Sequence, residues 1–235
     1  MNTVRIDRRF RGPENSGNGG YSCGVIARAL PGPCEVTLRS PPPLDRDLQL
    51  HADRDSATMM DGDTIVASAM RVDGPDVEVP RRPAVEEARA ASQRYVGFYH
   101  HLYPECFVCG PDREPHDGLR IFAGPDADSD CVAATWTPED DYADAEGYVR
   151  SEFIWSALDC PGYFALLKPG QPALLGRMSV RIDSRIPIAD TCIVLGWKIA
   201  TDGRKHTAGS ALLTASGSTL AVAKSIWIEL KPKTH

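Results

Sequence analysis

The sequence presents the same order of predicted elements twice, and this weak internal repeat constrains the fold more than any other feature. An apolar helical segment comes first in each half, over residues 20–30 and 149–167. Strand-like segments joined by glycine turns follow each helix, because glycine supplies the positive φ of a tight turn. The paired strand segments are 36–39 and 178–181, and the paired turns with their strands are 61–66 and 216–221. The repeat predicts an α+β protein of two related modules, each with a sheet that wraps its helix.

A proline-rich stretch separates the two copies and has the composition of a linker. Pro75, Pro80 and Pro83 exclude a regular strand there. Pro83 also suits the first position of a helix, and we expect a polar helix from this residue to about Arg94.

The second copy is longer than the first, with further predicted strands before its helix at 118–123 and 131–137. The sequence therefore predicts three parts in the chain. They are an N-terminal module over 1–72, a linker over 73–117 and a C-terminal module over 118–235.

Composition and charge exclude several classes of function. With a formal net charge of −6 and a pI near 5.5, the chain lacks the basic surface that nucleic-acid binding requires. No run approaches the roughly 18 apolar residues of a membrane span, and the N-terminus lacks the apolar core of a signal peptide. Seven cysteines without an export signal suit a reducing compartment. We expect a cytoplasmic protein that does not act at membranes, and uncovered sheet edges would allow a homo-oligomer.

A glycine-rich motif, Asn18-Gly19-Gly20-Tyr21, opens the first helical segment. The glycines let the backbone come close to a ligand and leave the first helical N–H groups accessible. Those donors, together with the positive end of the helix dipole, suit a polarised carbonyl or an oxyanion. Asn18 would either add its side-chain amide to this site or simply cap the helix.

An acidic residue, Asp159, lies inside the apolar run of the second helical segment. A carboxylate in such surroundings is costly unless it is hydrogen-bonded or functional. Pro161 cannot donate a hydrogen bond to the carbonyl of Ala157, so the helix should bend or end just past Asp159 and leave room for a substrate. Asp159 is therefore either a reactive carboxylate or a structural hydrogen-bond acceptor. Glu152, in the first turn, is predicted to be a surface charge.

Together these motifs resemble the hotdog-fold thioesterase superfamily in its tandem, double-hotdog form. One branch of that superfamily carries His/Asn-Gly-Gly at the helix start and an acidic residue nine positions later. Asn18 with its two glycines matches the first element, but the residue nine positions after Asn18 is Ala27, which is not acidic. Asp159 matches the acidic residue, but the residue nine positions before Asp159 is Arg150. In the family a site lies between two modules, so the two copies here would share one site. The resemblance implies two helix-wrapped antiparallel sheets that form an intrachain pseudo-dimer.

The resemblance also implies hydrolysis of an acyl-CoA or acyl-carrier thioester with no required cofactor. The N–H groups of Gly20 and Tyr21, with Asn18, would bind the thioester carbonyl. Asp159 would either activate water or attack directly to form an anhydride. The other proposed contacts are Gly19, Phe153 and Trp155 for the substrate, and Arg204 and Lys205 for the phosphates of coenzyme A (CoA). Solvated charges at a strand turn are the alternative for Arg204 and Lys205.

Cys106-Phe107-Val108-Cys109-Gly110 is a separate motif, with two thiols at a zinc-binding spacing. A structural zinc needs four ligands, and the histidines near enough in sequence to complete the set are His100, His101 and His116. A tight turn with two buried thiols is the alternative, and a thioredoxin-like redox pair lacks its βαβ context. Cys160, beside Asp159, is predicted to be a small buried residue.

Two other functions compete with hydrolysis. A non-catalytic protein that binds acyl-CoA or another acyl ligand would keep the fold and the pocket, but it would not need Asp159 beside the thioester. A hotdog hydratase or dehydratase would pair an aspartate with a histidine on the first helix, and neither helical segment contains histidine. Thioester hydrolysis is the leading prediction and acyl binding is its alternative.

Overall fold

The structure is a computed structural model that describes residues 2–166, 168 and 170–231. The helices of these ranges are α1 Gly19–Ala27, α2 Val85–Ser92, α3 Ser151–Ala157 and α4 Cys160–Leu166. The strands of the N-terminal part are β1 Asn2–Arg5, β2 Cys34–Leu38, β3 Asp47–Ala52, β4 Ser56–Asp61 and β5 Thr64–Arg71. Those of the C-terminal part are β6 Gly124–Pro125, β7 Val132–Trp136, β8 Ala173–Ile182, β9 Cys192–Asp202, β10 Lys205–Leu213 and β11 Thr219–Glu229. No helix in these ranges is long and apolar enough to span a membrane.

All eleven strands form one antiparallel sheet in the order β1-β3-β4-β5-β2-β8-β11-β10-β9-β7-β6. The strands β1–β5 make one half and β6–β11 the other, and the halves join where β2 pairs with β8. At this seam Val36 lies opposite Met178, and both are fully buried. The prediction of two separate sheets is therefore wrong. The backbone groups of β2 and β8, which would be bare edges in separate sheets, satisfy each other instead.

The helices α1 and α4 pack against the sheet, and α3 packs against both of these helices and so links the two halves. α1 contacts β2, β4, β5 and β8, whereas α4 contacts β7, β9 and β10. α1 and α3 also pack against each other at Gly24, where an added Cβ would lie 2.6 Å from the Cα of Glu152. The two helix backbones can approach this closely only because Gly24 has no side chain.

The helix α2 packs on the other face of the C-terminal half. Successive side chains of a strand point to opposite faces. Val194 joins the main core beneath α4, whereas its neighbours Ile193 and Leu195 pack with Ala88 and Ala91 of α2. The predicted linker therefore contains a packed helix, which confirms the helix predicted from Pro83. The division of the chain at 72 and 117 stays a prediction.

Most local predictions agree with the structure, and one does not. The turns at Gly62 and Gly217 are confirmed, with φ of 58° and 87°. The strand predicted at 131–137 is β7, but the one predicted at 118–123 is wrong. There, Leu119 N–H donates to the carbonyl of Phe107 and Ile121 N–H donates to that of Val108. This segment pairs with the cysteine-bearing loop rather than with the sheet.

The helix predicted over 149–167 is interrupted at Asp159. α3 ends at Ala157 with Leu158 as its C-cap, and α4 begins at Cys160. Pro161 has no N–H to offer the carbonyl of Ala157, so a break here is expected and is confirmed. The predicted helix end at Leu167 lies outside the described residues. The break places Asp159 in the junction between α3 and α4, facing the start of α1.

Candidate functional site

Asn18 is buried at the start of α1, and besides a weak contact from its Nδ2 to Cys106 Sγ at 3.8 Å its side chain makes two shorter hydrogen bonds. Its Oδ1 accepts from Tyr21 N–H at 2.9 Å, which satisfies one of the unpaired donors of the helix start. Its Nδ2 donates to Asp159 Oδ2 at 3.0 Å. One side chain therefore caps α1 and also reaches the carboxylate of the other half.

The two glycines after Asn18 let atoms of other segments approach the backbone of α1 closely. A Cβ on Gly19 would lie 2.9 Å from the side chain of Leu175. A Cβ on Gly20 would lie 2.5 Å from Asp159 Cβ and 2.7 Å from the carbonyl oxygen of Trp155. A side chain at position 20 would therefore push the aspartate away, and glycine is required for this contact.

Asp159 is almost completely buried, and its two carboxylate oxygens have different surroundings. Oδ2 accepts hydrogen bonds from Gly20 N–H at 2.9 Å and from Asn18 Nδ2 at 3.0 Å. Oδ1 is buried and has no hydrogen-bond partner among the described residues. Because a buried acceptor without a partner costs free energy, Oδ1 is the carboxylate oxygen whose hydrogen-bonding capacity is unused.

Burial raises the pKa of the Asp159 carboxyl to about 7. The hydrogen bond from Gly20 N–H and that from Asn18 act in the opposite direction, because they stabilise the charged form, and nearby Cys106 adds to the increase. The removal of the carboxylate from water outweighs the two donors. Such a shift is typical of carboxyl groups that transfer protons.

A cavity of about 420 Å³ opens beside Asp159. Asn18, Gly19 and Asp159 contribute to its wall, and most of the remaining wall is apolar. The large apolar and aromatic side chains of the wall are Leu38, Leu102, Tyr103, Tyr163, Phe164, Leu174, Leu175, Trp227, Ile228 and Leu230. A cavity of this size with a few polar groups at one place suits a small apolar chain that carries a polar reacting group.

The backbone groups predicted to bind a carbonyl are engaged within the protein. Gly20 N–H donates to Asp159, and Tyr21 N–H donates to Asn18. The members of the motif that line the cavity are Asn18 and Gly19.

The structure places Phe153 and Trp155 outside the cavity wall. Phe153 is buried in a cluster of aromatic rings, with its centroid 4.7 Å from that of Tyr142 and 5.8 Å from that of Tyr21. Trp155 is buried in α3, and its carbonyl oxygen faces Gly20. Both side chains belong to the packing of α3, because the apolar pattern of a core helix and that of a substrate wall are alike in sequence.

Arg204 and Lys205 lie next to the cavity but not in its wall. Lys205 pairs with Ile228, and the Arg204 side chain donates to the carbonyl of Glu229. Arg39, which no sequence signal pointed out, is the only lysine or arginine of the described ranges in the wall.

Three thiols lie together in the same wall: Cys106, Cys109 and Cys160. Their sulfur atoms are all within 4.8 Å of one another, and those of Cys106 and Cys160 are 3.8 Å apart. Hydrogen bonds from the Cys109 and Cys160 thiols hold the pKa of Cys106 well below its usual range, and backbone N–H groups of Cys109 and Val108 add to this effect. Cys160 was predicted to be buried and is, but its place beside the Cys106 motif was not foreseen.

The histidines near the motif differ in position. His101 Nε2 lies 3.3 Å from Cys109 Sγ, and its Nδ1 accepts a hydrogen bond from Tyr103 N–H at 3.0 Å. His100 lines the cavity, whereas His116 is exposed and pairs with Glu139. His116 is not among the ligand atoms that lie within 4.8 Å of one another at the thiols.

The corresponding start of α3 lacks the features found at α1. Arg150 occupies the cap position without a side-chain cap hydrogen bond, and Ala27 replaces the acid. Glu152 is buried and not a surface charge as predicted; it pairs with Arg28 at 3.1 Å and with Arg150 at 3.7 Å. The ion pairs make this burial tolerable.

No family model matches the sequence, and no curated protein matches it. Several solved structures are similar over nearly the whole chain. A TesB protein from Mycobacterium avium subsp. paratuberculosis is 14% identical, with a TM-score of 0.62 over 97% of this chain and 92% of that one. A Thermobifida fusca protein described as a proposed thioesterase II is 13% identical, with a TM-score of 0.61 over 97% of this chain and 92% of that one.

A hot dog fold protein of unknown function from Alicyclobacillus acidocaldarius is 9% identical, with a TM-score of 0.60 over 98% of this chain and 93% of that one. At sequence identities this low, the similarity supports a shared architecture and nothing further. Among these similar structures are a hot dog fold protein and proteins described as TesB and thioesterase II, and their shared architecture agrees with the fold that the motifs at Asn18 and Asp159 predicted. The architecture of this chain is therefore the hotdog fold.

Proposed function

We propose that this protein hydrolyses the thioester of an acyl-CoA or acyl-carrier substrate. The observation that carries the proposal is the buried carboxylate of Asp159 at the cavity wall. One of its oxygens is held by the start of α1 and the other has no partner in the described part of the chain. A purely structural acceptor would use both oxygens, whereas a base or nucleophile must keep one available.

In the proposed reaction the thioester carbonyl lies beside Gly19 at the positive end of the α1 dipole. Asn18 Nδ2 donates to Asp159 Oδ2 at 3.0 Å and, more weakly, to Cys106 Sγ at 3.8 Å, and the thioester carbonyl would replace the weaker sulfur contact. Asp159 Oδ1 takes a proton from the water that attacks the carbonyl carbon. The tetrahedral intermediate then collapses to the carboxylic acid as its C–S bond breaks, and the leaving sulfur takes the proton from Asp159 and departs as a thiol. Direct attack by Oδ1, with a mixed anhydride that water later cleaves, is the other route that this geometry supports.

The acyl chain of the substrate fits the apolar wall that Leu175, Tyr163 and Trp227 help to form. Arg39 lies in that wall, and Arg204 with Lys205 lies next to it. These three cations are the proposed partners for phosphate groups of the carrier, in a chain whose net charge is otherwise negative.

The test compares the wild-type protein with Asp159→Asn on a panel of acyl-CoA thioesters, by the release of free thiol. The substitution keeps the shape of the side chain and removes its capacity as base or nucleophile. We expect hydrolysis to fall by about 100-fold or more. The melting temperature should stay level or rise, because an amide avoids the cost of burying a charge.

Asp126→Asn is the matched control, because Asp126 is also buried but pairs with Arg81 away from the cavity. This variant should lose stability and keep its turnover. If Asp159→Asn hydrolyses thioesters at the wild-type rate, Asp159 is not the reactive group.

A non-catalytic acyl-binding protein is the second candidate, and one observation favours it. The N–H groups of Gly20 and Tyr21, which would stabilise an oxyanion, are already bound to Asp159 and Asn18. Binding of acyl-CoA without turnover of any thioester in the panel would support the acyl-binding function over hydrolysis.

A further inference from the structure

We propose that Cys106, Cys109 and Cys160 bind a zinc ion at the wall of the cavity. The inference does not depend on thioester hydrolysis, because it concerns the occupancy of a site that can be measured without substrate.

The first argument is the geometry of the three sulfur atoms. They come from two segments far apart in the chain and converge within 4.8 Å of one another. Zinc–sulfur bonds of about 2.3 Å in a tetrahedral arrangement place two sulfurs about 3.8 Å apart. The sulfurs of Cys106 and Cys160 are 3.8 Å apart, so this pair already has the spacing of two zinc ligands.

The second argument is the set of N–H donors around the sulfurs. The side-chain amide of Asn18 donates to Cys106 Sγ at 3.8 Å. His101 accepts from Tyr103 N–H at Nδ1, so its neutral ring carries the proton on Nε2 and directs it at Cys109 Sγ. Such donors stabilise negative sulfur, and hydrogen bonds of this kind surround metal ligands in proteins.

The third argument is charge. Three thiolates packed together in a buried position would repel one another, and a divalent cation reduces their total charge to one negative unit. The three thiol protons pass to solvent as the ion binds. Soft sulfur ligands in this number favour zinc over magnesium or calcium.

The remaining coordination position is expected to face the cavity. All three cysteines line it, whereas His101 is placed as a hydrogen-bond donor to Cys109 rather than as a fourth ligand. A site with three protein ligands keeps one position for water or another small ligand.

The experiment measures metal by mass spectrometry in protein purified under reducing conditions from zinc-supplemented medium. We expect about one zinc per chain. Removal with a chelator and addition of Co²⁺ should produce the thiolate-to-metal absorption of a tetrahedral site. Cys109→Ser and Cys160→Ser should lose most of the bound metal.

Cys192→Ser is the matched control, because Cys192 is also buried but is remote from the three thiols, and it should keep the metal. His101→Ala should weaken zinc binding by about 10- to 100-fold, as the loss of a donor to a ligand does. Wild-type protein that is folded but neither contains zinc nor takes up Zn²⁺ or Co²⁺ would overturn the proposal. Equal metal content in Cys160→Ser and the wild type would do the same.

Discussion

At the scale of single residues, Asn18 shows how one side chain can serve both the fold and the site. Its Oδ1 caps α1 through Tyr21 N–H, and its Nδ2 holds one oxygen of Asp159. The two bonds use opposite ends of the same amide. The contribution of Asn18 to stability and its contribution to the carboxylate can therefore be separated by substitution.

We predict that Asn18→Ala loses both the helix cap and the hydrogen bond to Asp159, and that Asn18→Ser loses only the hydrogen bond to Asp159. Alanine removes the cap, which costs about 0.5–2 kcal/mol of unfolding free energy. Serine keeps a cap oxygen but is too short to hold Asp159, so this variant should have nearly wild-type stability and reduced hydrolysis. Urea unfolding and thiol release measure the two effects. Full hydrolysis by Asn18→Ser would show that the bond to Asp159 is dispensable.

The residues of the candidate site were partly predictable from sequence. Asn18 and Asp159 stand out because a polar cap before glycines and an acid inside an apolar run are locally unusual. Glu152 could not be placed correctly, since its burial depends on Arg28 from a helix 124 residues away. The position of Cys160 beside Cys106 is likewise a result of tertiary packing, to which no local pattern points.

At the scale of secondary structure, the contact between α1 and α3 positions the site. The helices touch at Gly24, which faces Glu152 Cα and Trp155 Cβ. This close approach brings the end of α3, and with it Asp159, to the start of α1. A wider separation would break the hydrogen bonds that Asp159 accepts.

We predict that Gly24→Ala destabilises the protein, although alanine normally favours a helix interior by up to about 1 kcal/mol. The new Cβ would lie 2.6 Å from a backbone atom of α3, and forcing the helices apart typically costs about 1–3 kcal/mol. Gly176→Ala is the control, because its Cβ would meet the side chain of Ile228 at 3.0 Å. Urea unfolding should show the larger loss for Gly24→Ala, and a more stable variant would argue against the close contact.

The elements themselves follow the sequence where the signal is local. The break before α4 follows from Pro161, and the hairpin turns follow from Gly62 and Gly217. Segment 118–123 has strand-like composition, but its N–H groups bond to the loop around Phe107. Which partner a strand-like segment finds is decided by the rest of the chain, and composition does not encode it.

At the scale of the whole molecule, one sheet runs through both halves. The sequence repeat indicated two modules, but it could not show whether their sheets would be separate or joined. The joining depends on β2 and β8, two strands 135 or more positions apart that meet with Val36 opposite Met178. The candidate site also depends on contact between the two halves, since α1 belongs to one half and Asp159 to the other.

We predict that the two halves unfold together. All four tryptophans lie in the C-terminal half, so their fluorescence reports on that half, whereas far-UV circular dichroism reports on both. Because β2 and β8 share a buried seam, the two urea transitions should coincide. Val36→Ala, in the N-terminal half, should shift the tryptophan transition to lower urea. An earlier transition by circular dichroism alone would show that the halves unfold separately.

The seam between β2 and β8 also determines how the candidate site responds when the protein is diluted. A site built from two separate subunits is lost when the protein becomes too dilute for the subunits to meet. Here both contributors to the site are on one polypeptide, so their encounter is intramolecular and has a fixed effective concentration. The pairing of Asn18 with Asp159 therefore persists at any abundance at which the chain itself remains folded.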